Sequence, residues 1–105
     1  MDWDEEMKAL AANQRLAVLD VSDLELTDKS AAALAGMPSL RMLYANKNSF
    51  TDEGAVAFSH SRALTFISLL DNKEAFGERV RHFLLRSVPG RVVLLSEPRT
   101  VAVMV

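Results

Sequence analysis

Residues 40–63 read LRMLYANKNSFTDEGAVAFSHSRA. Laid over residues 16–39, LAVLDVSDLELTDKSAAALAGMPS, they keep the same order of residue types at a fixed offset of 24. Leu16 matches Leu40 and then Leu64; Leu19 matches Leu43 and then Ile67; Val21 matches Ala45 and then Leu69. Self-similarity with a period in the twenties marks a solenoid, because one such unit is too small to bury its apolar face alone and stacks on copies of itself. The units then run 16–39, 40–63 and 64–90, with caps at 1–15 and 91–105, in a single domain spanning 1–105.

The spacing inside a unit predicts how it is built. Leu40, Leu43, Ala45, Asn48 and Phe50 follow L-x-x-L-x-L-x-x-N-x-L. The middle of that run alternates with period two, which turns Leu43 and Ala45 into a core and Met42, Tyr44 and Asn46 out of the other face of a short strand. Leu26-Thr27-Asp28 and Phe50-Thr51-Asp52 share an apolar-T-D form, in which Thr or Asp supplies an oxygen to the unpaired amides of a helix start. Behind them Ala31, Leu34 and Ala35 match Ala55, Phe58 and Ser59 at helical spacing, so small residues face the sheet. Strand, turn and short helix recurring as one right-handed coil make successive strands parallel. The expected fold class is therefore α/β, a short horseshoe with a parallel sheet on one face and helices on the other.

Both ends read as caps, since three units are about the minimum for a stable stack. Asp2-Trp3-Asp4-Glu5 has the D-x-x-E form of a capping box, and Trp3, Met7, Leu10 and Ala11 share one face of a helix over 3–12. At the other end a longer helix places Phe76, Val80, Phe83, Leu84 and Val88 on one face and stops at Pro89-Gly90. Val92 to Leu95 fits a fourth parallel strand at the repeat position. Val101 to Val105, reached through the turn at Pro98, is a bare β-prone run expected to pair with the sheet or as a hairpin.

The units resemble leucine-rich repeats of the short bacterial kind, and TDEGAVAF at residues 51–58 is similar to the G-A-L-A element of one group of bacterial plant-pathogen effectors. The resemblance covers residues 16 to about 72. It implies protein recognition rather than any one activity. Leu24 departs from it, standing where Asn48 and Asn72 stand and removing a rung of the usual asparagine ladder.

Recognition is expected on the outward side of the strands, whose positions form columns about 5 Å apart. These columns are Val18, Met42, Phe66; then Asp20, Tyr44, Ser68; then Ser22, Asn46, Leu70. The partner-binding set is Met42, Tyr44, Asn46, Phe66, Ser68, Leu70 and Asp20, an apolar cluster rimmed by Asp20, Asp23, Arg41, Lys47 and Asp71. Exposed aromatics and Met bordered by charge have the composition of a protein or peptide interface.

Charge is uneven although the net value is −2. Asp2, Asp4, Glu5, Glu6, Asp20, Asp23, Glu25 and Asp28 crowd the first quarter, and Arg79, Arg81, Arg86, Arg91 and Arg99 the last third. An acidic end and a basic end follow, which steer a partner or favour head-to-tail contact between copies. The arginines do not form the single basic stripe of a nucleic-acid binder.

No catalytic constellation is present in the sequence. There is no cysteine, which removes thiol catalysis, disulfides and thiolate metal sites. His60 and His82 lie in no zinc or nucleophile-elbow motif, and the four glycines belong to turns and helix ends rather than a phosphate loop. Asp20 and Asp23 stand on an open sheet with nothing to exclude water and shift a pKa. The expectation is a non-enzymatic protein-binding module with no cofactor, no metal, no nucleic acid and no membrane partner. The alternative is a self-associating scaffold unit or a fragment of a longer repeat protein. The acidic start and the lack of a spanning run point to the cytoplasm, of the source cell or, following the effector resemblance, of a host cell.

Overall fold

The computed structural model describes residues 2–72, 76–86 and 88–96. Helix and strand alternate along the chain: α1 Trp3–Leu10, β1 Val18–Asp20, α2 Asp28–Ala35, β2 Met42–Tyr44, α3 Asp52–Ser59, β3 Phe66–Leu69, α4 Glu78–Arg86 and β4 Val92–Leu95. The strands form one parallel sheet in the order β1-β2-β3-β4, and the helices pack side by side in the same order. No helix among the described residues is long and apolar enough to cross a membrane.

The register repeats the sequence period. Val18 pairs with Met42 and Met42 with Phe66, and the rows Leu19, Leu43, Ile67 and Asp20, Tyr44, Ser68 run beside them. The last step is longer: Phe66 pairs with Val92, an offset of 26. The fourth strand thus sits at the repeat position after a longer crossover. The run Val101 to Val105 lies outside the described residues.

The core lies between sheet and helices and is built from equivalent positions of successive units. Leu26 and Phe50, Leu34 and Phe58, Leu40 and Leu64, Leu43 and Ile67, and Ala45 and Leu69 are all fully buried. The Phe50 and Phe58 rings meet edge to face at 5.3 Å. Each fully buried large side chain contributes about 1.5–3 kcal/mol, and none of these columns is complete within one unit. In the first unit Leu16 and Leu19 are only half-buried, having a neighbouring strand on one side alone.

Side chains bolt the units together, and this changes the expected capping. Asp4 accepts from the Thr27 amide at 3.0 Å and its hydroxyl at 2.8 Å, and also from the Ser30 hydroxyl. Asp28 accepts from the Thr51 amide at 2.8 Å and from its hydroxyl. Asp52 accepts from the Gly77 amide at 3.0 Å. Asp28 and Asp52 therefore do not cap their own helices, as a local reading of T-D suggests; each aspartate in the first turn of one helix holds the start of the next. Thr27 caps α2 only weakly, accepting from the Lys29 amide at 3.4 Å, and the Thr51 side chain makes no cap bond to α3.

Asparagines perform the same service at the strand ends. Asn48 Oδ1 accepts from the Leu24 amide at 3.1 Å and the Leu26 amide at 2.9 Å, and Nδ2 donates to the Val21 carbonyl at 3.0 Å. Asn72 repeats this one unit on, accepting from the Phe50 amide at 3.0 Å and donating to the Ala45 carbonyl at 3.2 Å. Each asparagine serves the backbone of the unit before it. The unit at residues 16–39 follows α1 rather than another strand, and Leu24 instead packs half-buried against the core.

The caps differ from expectation in detail. Helix α1 stops at Leu10, only Met7 is buried in it, and Trp3 lies exposed. Asp2 caps the Asp4 and Glu5 amides, but the Glu5 carboxylate turns forward to Lys8 at 3.2 Å instead of closing the capping box. In α4 the buried residues are Val80 and Leu84, continuing from the buried Phe76 just before the helix at a spacing of four, while Phe83 is displaced round the helix and is 57% exposed. Arg91 is buried and donates to the carbonyls of Leu64, Leu84 and Ser61, and Arg81 donates to the Ser96 carbonyl at 2.6 Å. Those two arginines fasten the C-terminal residues to the units before them rather than adding to a basic end.

Candidate functional site: the outward strand face

Parallel pairing sets the outward residues into rows across the sheet. Val18, Met42, Phe66 and Val92 form one, and Asp20, Tyr44, Ser68 and Leu94 the next. Helices cover the opposite side, so these side chains face away from the core. Val18 at 56%, Val92 at 49% and Leu94 at 40% are exposed, and Met42, Tyr44 and Phe66 are half-buried. The Tyr44 and Phe66 rings lie on adjacent strands with centroids 5.2 Å apart and planes tilted by 47°. Aromatic pairs at that distance add about 0.5–1.5 kcal/mol beyond their buried area, which holds the two rings as one platform.

The polar members of the expected set have other work. Ser68 is 1% exposed, and its hydroxyl donates to Asn46 Oδ1 at 2.6 Å. Asn46 Oδ1 also accepts from the Leu70 amide at 2.9 Å, while the Asn46 amide donates to the Ser22 hydroxyl at 3.1 Å. Ser22, Asn46 and Leu70 lie just past the strand ends, where the chain turns toward the helices. The third column is thus an internal hydrogen-bond ladder, and Asn46 and Ser68 are committed to it. Met42, Tyr44, Phe66, Leu70 and Asp20 remain, with Leu70 half-buried and Asp20 exposed.

Sequence reasoning misses Val92 and Leu94 as members of this face. Their signal is the apolar run Val92 to Leu95, whose alternation places two residues in and two out once the run pairs with β3. The rim is charged as expected, with Asp20, Asp23, Arg41, Lys47 and Asp71 all exposed. Asp23, Lys47 and Asp71 occupy one repeat position and share a left-handed backbone, with φ of 59°, 55° and 55°. L-residues pay a steric penalty there, so the turn leaving the strand is imposed by the neighbouring pairing rather than by local preference. His60 and His82 both lie exposed.

No family model and no curated protein matches the sequence. Among solved structures, Leiomodin-1 Actin-Binding Site 2 is similar over 77% of this chain, with a TM-score of 0.65 and 18% sequence identity. The match takes in 51% of that chain, so this one spans about half its length. At that identity the likeness is one of fold.

Proposed function

We propose that the chain is a leucine-rich-repeat solenoid of the short bacterial type, and that it is a non-enzymatic module binding a protein or peptide through its outward strand face. The observation that carries this reading is the Tyr44 and Phe66 platform, flanked by Met42, Val18, Val92 and Leu94 and rimmed by charge. A soluble surface rarely sets so many apolar side chains side by side without a use, and large aromatics with Met are the residues enriched at interface centres. The solved structure it resembles is itself named as an actin-binding site, which supports protein recognition as a use of this architecture without naming this chain's partner. An effector-like role in a host cytoplasm rests on the TDEGAVAF resemblance alone.

The test is a side-by-side capture from lysates with wild type and a Tyr44→Glu, Phe66→Glu variant of verified fold. A protein retained by wild type and lost by the variant supports the strand face; equal capture by both contradicts it. Self-association is the second reading, favoured by β1 and β4, the end strands of the sheet, each of which pairs on one side alone among the described residues. Sedimentation at rising concentration separates the two, since a mass that stays monomeric removes the scaffold.

A further inference from the structure

A cavity of about 460 Å³ opens at the edge of the sheet where the strands begin. It is lined by Ala17, Arg41 and Thr65, which lead into β1, β2 and β3, and by the turns Pro38-Ser39 and Arg62-Ala63. Both arginines are exposed, no acidic residue lines the cavity, and among the described residues neither guanidinium has a partner. Two cations lining one hollow without a counter-charge create a local positive potential.

We propose that this cavity takes the carboxylates of an acidic segment on the protein partner. Its available donors decide the class of anion. The Arg41 and Met42 amides already bond to the Ala17 carbonyl at 2.8 and 3.0 Å, and the Thr65 and Phe66 amides to the Arg41 carbonyl at 2.9 and 3.0 Å. The Ser39 hydroxyl is spent on the Gln14 carbonyl and the Thr65 hydroxyl on that of Arg41. A phosphate cradle recruits a run of free backbone amides, and two of the lining amides, those of Arg41 and Thr65, are taken. The charged donors of the cavity are two planar forks, which match carboxylates two bonds at a time.

The cavity adjoins the strand face, because Arg41 precedes Met42 and Thr65 precedes Phe66. A segment with carboxylates in the cavity therefore lays its neighbouring apolar residue on the Met42 and Phe66 row. The opposite rim carries Asp20, Asp23 and Asp71, which repel the same charges, so the segment docks in one direction. The apolar half of this contact rests on the strand-face reading; the anion contact does not.

Anisotropy with a fluorescein-labelled Gly-Asp-Glu-Asp-Phe-Gly peptide and its Gly-Asn-Gln-Asn-Phe-Gly counterpart tests both halves. The acidic peptide binds wild type about tenfold more tightly than the neutral one, and Arg41→Ala and Arg62→Ala each weaken it by about tenfold. Equal affinities for the two peptides, or an acidic-peptide affinity unchanged in the double arginine variant, overturn the proposal. Competition by inorganic phosphate stronger than by acetate overturns the choice of carboxylate. Phe66→Ala separates the two readings: if it leaves the affinity unchanged while the arginine losses persist, the strand face fails and the anion site stands.

Discussion

Asp28 Oδ1 lies 2.3 Å from where a Cβ on Gly54 would stand, and the same oxygen accepts from the Thr51 amide at 2.8 Å. The start of α3 is thus fastened to α2 through a carboxylate that fits only because residue 54 has no side chain. Position 30, one period earlier, holds Ser30, whose hydroxyl donates to Asp4 instead. Gly54→Ala raises helix propensity, worth about 1 kcal/mol in the open, yet here it must push Asp28 off Thr51. We expect a net loss of about 1–3 kcal/mol by urea unfolding, as for other overpacked sites. In an Asp28→Ala background the same change should be neutral or stabilising; a loss of equal size there would show that the carboxylate is not what Gly54 accommodates.

Asn48 and Leu24 occupy the same repeat position and should respond in opposite ways. Asn48→Ala leaves the Leu26 amide buried without an acceptor and lowers stability by about 2–4 kcal/mol. Leu24→Asn gains no ladder rung, since among the described residues β1 pairs with β2 alone and α1 leads into it, and it loses apolar contact worth about 1 kcal/mol. A stabilised Leu24→Asn would mean that the residues before β1 offer the same backbone groups after all.

Asp4 predicts a particular acid limb. Burial presses its carboxyl upward, but the bonds from Ser30 and Thr27 and the charge of Lys29 outweigh that and hold it below its ordinary value of 3.8. A carboxyl depressed in the folded state adds stability above its unfolded pKa and loses it as the pH falls through the folded one. Asp4→Asn should therefore lower stability at neutral pH and flatten the fall in stability below about pH 4. Parallel acid limbs for variant and wild type would contradict this.

Lys47 carries a steric penalty that glycine removes. With φ at 55°, Lys47→Gly should raise stability by about 0.5–1 kcal/mol, because relief of the left-handed penalty exceeds the entropy that glycine loses on folding. Lys47→Val should lower it by about 1 kcal/mol or more. Equal stabilities for the two variants would place the turn outside that conformation.

The period of 24 makes most of the fold legible, because equal spacing in sequence becomes equal height in the sheet: Val18, Met42 and Phe66 fall in one row. The candidate face is legible for the same reason in Met42, Tyr44 and Phe66. What the sequence hides are partners one period away. Thr27-Asp28 and Thr51-Asp52 look like caps of their own helices, and nothing local reveals that Asp28 belongs to Thr51. Ser68 sits at an outward position, and only the neighbouring strand's Asn46 draws its hydroxyl under cover. Arg91 reads as surface charge until the carbonyls of Ser61, Leu64 and Leu84 are seen to converge on it.

Recognition through the strand face can be read directly, because oxidisable side chains are distributed over separate surfaces. Tyr44 is the sole tyrosine and Trp3 the sole tryptophan, with Met42 and Phe66 beside the first and Phe83 far along the helical side. Hydroxyl-radical footprinting of the chain alone and with its captured partner should slow oxidation of Met42, Tyr44 and Phe66 several-fold while Trp3 and Phe83 react as before. Unchanged oxidation of Tyr44 and Phe66, with protection appearing at Trp3 or Phe83, would move the interface off the strands and contradict the account.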